Sequence, residues 1–261
     1  MELGLSGRRA IVTGASAGIG AATARALVVE GARVGIIARR ADRLQVIADE
    51  LGDSAAMAVG DLSTAAGVES SIDACVRALG GVDILVNNAG SSPMGTIDDL
   101  TDEQWQRAFD LKVMGYVRCM RRVVPSMRAQ HFGRIINVGG TAGLHATPGY
   151  ALAALNAALV HVTRSTAEHL GPDGITVVSL HPGPTLTNRM HDLLGKAAAN
   201  AGMTVEQFAE QRVGPTLPLG RVGTPEEVAQ MIVVLASDVA SWVTGGGLSI
   251  DGGAARGVVG G

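Results

Sequence analysis

The sequence predicts a doubly wound α/β fold in a single domain, with a mostly parallel sheet of seven strands covered by helices on both faces, and three observations lead to it. The chain has 261 residues, a length that suits one large α/β domain with ample core. Its strand-like runs are apolar throughout instead of alternating, as strands buried on both faces are. Its 36 glycines gather in short clusters directly after β-branched runs, the punctuation of strand-to-helix turns.

In chain order, Arg9-Ala10-Ile11-Val12-Thr13 reads as the first strand, a glycine cluster follows, and Ala21 to Glu30 reads as a helix ended by Gly31. Arg33-Val34-Gly35-Ile36-Ile37 is the second strand. The other five are Ala55 to Val59, Asp83-Ile84-Leu85-Val86, Gly133 to Val138, Ile175 to Leu180 and Leu248-Ser249-Ile250. Helical stretches separate them, which means a doubly wound sheet. Thr101 with Gln104 makes a capping box ahead of a long helix to about Ala129, and Thr224-Pro225-Glu226-Glu227 adds proline at a first helical position. With no internal repeat or linker, residues 1–261 read as one domain. The stretch 190–219 breaks the rhythm and carries Met190, Leu193, Leu194, Met203 and Phe208 at helical spacing, as a mobile substrate cover would.

Composition narrows the function. The net charge is −3 with no block of like charges, so no basic surface is advertised to nucleic acid or anionic lipid. Cys75 and Cys119 stand far apart with no metal-ligand spacing, as core thiols of a reduced compartment do. No apolar run approaches the roughly 20 residues that span a bilayer, and Met1-Glu2-Leu3-Gly4 is not the start of a signal peptide. The expectation is a cytoplasmic protein acting on a small molecule, with no membrane or nucleic-acid partner and no metal.

Thr13-Gly14-Ala15-Ser16-Ala17-Gly18-Ile19-Gly20 follows the first strand and opens a helix. Glycines there let backbone amides approach a pyrophosphate at the positive end of the helix dipole, and the strand before and the helix after make this more than a tight turn. At the tip of the second strand, where an acid would hold a ribose 2′-hydroxyl, stands Ala38-Arg39-Arg40. A guanidinium at Arg39 suits a 2′-phosphate, so the cofactor expected is NADP(H); the plainer reading is a solvated turn. Asp61, in Gly60-Asp61-Leu62, can accept from an adenine amino group. Asn87-Asn88-Ala89-Gly90 closes the fourth strand with small residues that permit cofactor approach.

These motifs, with His181-Pro182-Gly183 followed by Thr187 and a tail from Gly220-Arg221 through Pro225-Glu226-Glu227-Val228-Ala229 to Asp251-Gly252-Gly253, resemble those of a short-chain dehydrogenase/reductase over essentially the whole chain. The resemblance implies a Rossmann-type domain whose cofactor is held by Gly14, Ser16, Gly18, Ile19, Gly20, Arg39, Asp61, Leu62, Asn88, Ala89, Gly90, Pro182, Gly183 and Thr187. Thr187 would touch the nicotinamide amide. It also implies a homodimer or homotetramer built through the helices 101–129 and 152–170.

The family's chemistry rests on Ser, Tyr and Lys, usually aided by Asn. Asn156-Ala157-Ala158 and Thr163-Arg164-Ser165 fix the register, which puts Leu152 in the tyrosine slot and Asn156 in the lysine slot. The serine slot falls on Gly139-Gly140 and the asparagine slot on Phe109-Asp110-Leu111-Lys112. All four expected residues are absent. In a competing register Tyr150 is the tyrosine, but two helical residues turn a side chain by about 200°, so it and Leu152 could not both face the nicotinamide unless Tyr150 precedes the helix. Lys112 and Asn156 look like an exchange of amine and amide between facing slots. Lys112 would then be a desolvated amine able to donate a proton; the alternative is a lysine snorkelling along a helix surface. His145, in the loop after the fifth strand, is a further titratable candidate unless solvent-exposed, whereas His161, His169 and His181 read as structural.

Losing the general acid costs about 10² to 10⁴ in rate, so the residues suit an acceptor needing little protonation: an imine or iminium, a quinone or an activated enone. Two other readings are a non-redox isomerase, dehydratase or cyclase, and an inactive cofactor-binding partner protein.

Overall fold

The computed structural model describes residues 2–90, 93–147 and 149–255; Met1 of the opening tetrapeptide lies outside them. Seven strands, β1 (Arg9–Thr13), β2 (Arg33–Ala38), β3 (Ala55–Val59), β4 (Ile84–Asn87), β5 (Gly133–Val138), β6 (Ile175–Pro182) and β7 (Gly247–Ile250), form one sheet in the order β3-β2-β1-β4-β5-β6-β7. Every pair is parallel. The main helices are α1 (Gly18–Val29), α2 (Ala41–Leu51), α3 (Ala65–Leu79), α4 (Asp102–Phe109), α5 (Gly115–Ala129), α6 (Ala154–Leu170), α7 (Asn188–Asn200), the single turn α8 (Val205–Phe208) and α9 (Pro225–Ala236).

Both faces of the sheet are covered, which is why its strands are apolar at consecutive positions. Val12, Ile36, Val86, Ile136 and Val178 enter one core with Leu27 of α1, Leu44 of α2 and Ile232 of α9. Their chain neighbours Ile11, Ile37, Leu85, Ile135 and Val177 enter the other with Ile72 of α3, Val123 of α5 and Ala167 of α6. Cys75 and Cys119 are buried in that second core as free thiols, and burial pushes both up to about 12. Both expected capping boxes form, at Thr101 with Gln104 and at Thr224 with Glu227.

The long helix expected over 101–129 departs from regularity at one place. Between α4 and α5 the residues Asp110–Met114 make a π-helical turn, whose extra residue rotates the succeeding turns relative to an uninterrupted α-helix. Lys112 sits in this turn. The stretch 190–219 is helical in pieces: α7, α8, a second π turn over Ala209–Val213 and a 3₁₀ turn over Gly214–Thr216. Among the described residues no helix is long and apolar enough to cross a membrane.

At the amino end of the sheet, Asp83 ties β1 to β4. Its carboxylate accepts from the Arg9 backbone N–H at 2.8 Å, Arg9 Nε at 2.8 Å and Arg9 Nη2 at 2.6 Å. Burial pushes this carboxyl up, but the Arg9 contacts outweigh it and hold it below the usual carboxylate range. Its stabilising contribution is therefore present above the unfolded carboxylate pKa and is lost as pH falls through the lower folded one. Asp83→Ala is expected to remove about 3 kcal/mol, the low end for a buried pair because Arg9 stays partly exposed, and urea unfolding at neutral pH measures it.

Candidate active site

Where β1 gives way to α1, the chain turns at Gly14 with φ +68° and at Gly18 with φ +55°, backbone that a side chain disfavours. A Cβ on Gly20 would collide with the Gly14 carbonyl oxygen and crowd Asn88 Nδ2, so the helix can press onto this turn only with glycine there. The N-cap Ala17 offers no side-chain acceptor, which leaves the first-turn amides of α1 available to a ligand.

The turn is clasped to the end of β4. Asn88 Nδ2 donates to the carbonyls of Thr13 at 3.0 Å and Gly14 at 3.3 Å. The buried Thr13 hydroxyl donates to Val86 O at 3.2 Å and accepts from the N–H groups of Asn88 at 2.9 Å and Ala89 at 3.1 Å. Thr13 is not among the site residues expected from the sequence, although a polar β-branched residue ending an apolar strand was the available signal.

Over the carboxyl ends of the strands lies a cavity of about 850 Å³. Of the residues expected to hold a cofactor, Gly14, Ser16, Gly18, Ile19, Arg39, Leu62, Asn88, Ala89, Gly90, Pro182, Gly183 and Thr187 line it. Gly20 and Asp61 are not on its wall. Gly20 serves the packing just described, and Asp61 Oδ1 accepts from the backbone N–H of Ser63 at 3.0 Å and its hydroxyl at 2.8 Å, which together with nearby Arg39 keep that carboxyl low. The Thr187 side chain caps α7 by accepting from Met190 N at 3.4 Å, and it stands against the Gly18 backbone.

Lys112, His145, Tyr150 and Asn156 all reach the same cavity. Lys112 Nζ donates to Val138 O at 2.9 Å and Gly139 O at 3.4 Å, so it is no surface snorkeller, and a third N–H is left for the cavity. Burial, with a smaller contribution from the charge of Arg189, pulls its pKa down to about 7. Tyr116, one turn further on, donates its hydroxyl to the same Val138 carbonyl at 3.0 Å and fixes that oxygen.

Asn156 approaches the Gly139-Gly140 segment from α6. A Cβ on Gly140 would lie 3.0 Å from Asn156 Nδ2, and one on Gly139 would lie 2.6 Å from Nδ1 of the buried His181 ring. Lys112 and Asn156 thus converge on one dipeptide. His181 also meets the Ser179 hydroxyl at 2.9 Å, as a structural histidine does, whereas His161 and His169 are exposed. Tyr150 lies before the 3₁₀ turn Ala151–Ala153 that leads into α6. A helical rotation therefore does not set it against Leu152, and both line the cavity.

The Tyr150 hydroxyl accepts from Arg189 Nη2 at 3.0 Å, and the Arg189 guanidinium lies 5.7 Å from the ring centre. Arg189 is absent from the expected site residues, because nothing in the spacing of Thr187-Asn188-Arg189 says which way the second residue of a helix points. Among the described residues, the cavity wall holds three arginines and one lysine, Arg39, Arg40, Arg189 and Lys112, together with His145, and no aspartate or glutamate. No described cluster of His, Cys, Asp and Glu could hold a metal.

Residues 14–255 match the family model described as enoyl-(acyl carrier protein) reductase. The chain is 35% identical to the oxidoreductase YvrD of Bacillus subtilis, over 98% of this chain and 99% of that one. It is 36% identical to a 3-alpha-(or 20-beta)-hydroxysteroid dehydrogenase of Mycobacterium bovis, over 97% and 92%. Its fold is similar to that of L-sorbose reductase from Gluconobacter frateurii, solved with NADPH and L-sorbose, with a TM-score of 0.94, 32% identity, and 99% and 100% of the two chains covered. The chain belongs to the short-chain dehydrogenase/reductase family of oxidoreductases.

Thr13→Val keeps the shape of the side chain while leaving two half-buried N–H groups without their acceptor. A loss of about 2 kcal/mol is expected, read as a lowered midpoint in chemical denaturation.

Proposed function

We propose that this protein is an NADP(H)-dependent reductase of atypical mechanism, acting on an acceptor that asks little acid catalysis of the enzyme, and that Lys112 delivers the proton. The observation that carries this reading is the Lys112 ammonium, held by two carbonyls on the cavity wall with a pKa of about 7, in the slot where the family has asparagine.

The residues fit a dinucleotide. The uncapped amides of α1 with the left-handed turn at Gly14 suit a pyrophosphate, and Arg39 suits a 2′-phosphate. Ala89, Gly90, Pro182, Gly183 and Thr187 would border the nicotinamide end. When bound, NADPH supplies the hydride.

In a two-electron reduction, one carbon of the acceptor's C=N or activated C=C bond would take that hydride. The nitrogen, or the oxygen of the conjugated carbonyl, takes the proton from Lys112. Lys112 regains a proton from water. Leu152 and Leu155, in the buried cluster with Leu100 and Val113, keep that end of the cavity dry, which strengthens the electrostatic action of the amine. The absence of a tyrosine and lysine in their usual slots supports a route outside the family's triad. The non-redox alternative is disfavoured by relatives that are oxidoreductases. Residues 190–219 would serve as the substrate cover, since Met190, Leu193, Leu194 and Val213 face the cavity. Homo-oligomerisation is part of this reading too: Trp242 is 96% exposed, and Val243 and, on the edge strand β7, Leu248 are exposed as well; light scattering at micromolar concentration checks it.

NADPH is expected to bind at least tenfold more tightly than NADH, about 1.4 kcal/mol, and Arg39→Ala to erase the difference in a fluorescence titration. An acid whose pKa is about 7 is protonated below it, so turnover should fall as pH rises through that value. Lys112→Met should lower the rate by about 100-fold, flatten that profile and leave NADPH affinity unchanged. Binding of NADPH with no turnover on imine, quinone or enone panels would instead identify a cofactor-binding protein without this chemistry.

A further inference from the structure

Arg39 and Arg40 mark one end of the cavity, past β2, and Lys112 and Arg189 mark the other, near the carboxyl end of β5. The two ends lie three strand spacings apart in the sheet order, about 14 Å. The phosphates of a dinucleotide belong with the first pair and with the amides of α1. The second pair stands where a substrate would sit, and no described carboxylate lines that wall.

A bare iminium cation would be repelled there by two positive groups. The surrounding wall is apolar, with Met94, Leu152, Leu155, Met190 and Leu193, so any charge brought in is poorly screened. Arg189 is not a freely waving side chain: it bonds the Tyr150 hydroxyl and lies near that ring, which presets a planar fork suited to a bidentate oxyanion. His145 and Thr147, on the same loop as Tyr150, line this end of the cavity too.

We infer that the natural substrate is a carboxylate, an acid carrying its reducible C=N or C=C group within reach of Lys112, and that Arg189, oriented by Tyr150, is its specificity-determining anchor. This inference rests on the reductase reading for the place of the substrate, but the charge it requires can be tested without turnover.

The experiment uses two matched pairs with the NADP(H)-loaded full chain: 1-pyrroline-2-carboxylate with its methyl ester, and 4-oxo-2-pentenoic acid with its methyl ester. Calorimetric binding to the NADP⁺ complex is read beside NADPH oxidation. At least one acid is expected to bind tenfold or more tightly than its ester, and Arg189→Met to remove that preference while Arg189→Lys retains part of it. Tyr150→Phe should weaken the acid without changing the ester, because it loosens the guanidinium and leaves the apolar wall intact. Equal affinity of acid and ester in both pairs, an acid preference that survives Arg189→Met, or a phosphonate analogue bound where neither acid binds would each overturn the inference. If acids bind through Arg189 but neither pair is reduced, the carboxylate site stands and the reductase reading falls. If esters are bound and reduced as well as acids, the reductase reading stands and the carboxylate site falls.

Discussion

The clasp between Thr13 and Asn88 holds together two chain segments about seventy positions apart, and the cavity depends on where it falls. From β1 the strand order runs outward through β2 and β3, and from β4 it runs the other way through β5, β6 and β7. The crossovers therefore leave the sheet in opposite directions at this point, opening a crevice above its carboxyl edge. An asparagine amide donating to two carbonyls of the adjacent strand, and a threonine hydroxyl satisfying two amides in return, close the floor of that crevice without a bulky side chain. Small residues on either side then let a ligand come down to the backbone.

The same economy of volume shapes the far end. Gly139 has no room for a side chain beside the His181 ring, and Gly140 borders the Asn156 amide. Their carbonyl neighbourhood is the seat of the Lys112 ammonium. That lysine stands in the π turn between α4 and α5, a local irregularity of the helix that carries it. The polar groups around it are fixed in turn: Tyr116 shares the Val138 carbonyl, and Ser179 holds His181.

Charge distribution gives the cavity its chemical character. The chain as a whole is slightly acidic, yet its cavity is lined by cations and by no described carboxylate. Such a segregation is an electrostatic statement about ligands, since a concave wall focuses the field of its fixed charges. In the proposed reading, phosphates of a dinucleotide would answer it at the Arg39 end. The carboxylate inferred above for the substrate would answer it at the Arg189 end.

Strand identity and most strand bounds were legible because each is a short apolar run closed by glycine or a polar residue, and parallel sheets demand such runs. β1, β3 and β5 begin and end where their composition changes. The glycine turn, Arg39 and Asn88-Ala89-Gly90 could be placed beside the cavity for a related reason: their places are set by backbone conformation and by position after a strand, both of which are local. Lys112 stood out because an ionisable residue replaces an amide in a recognisable frame. Three things could not be read. The π turn that holds Lys112 has no periodic signature, since one inserted residue is lost in a helix of about thirty positions. The pairing of Tyr150 with Arg189 joins a loop residue to the first turn of α7, and their approach is decided by how α7 leaves β6. The separation of Gly20 and Asp61 from the cavity wall follows from packing of α1 and from the Ser63 turn. Sequence by itself determined the sheet, its turns and the residue types at its carboxyl edge, because these depend on neighbours in the chain. Only the tertiary structure decided which cations face which end of the cavity, because a side chain's direction there is set by contacts with residues far away along the chain.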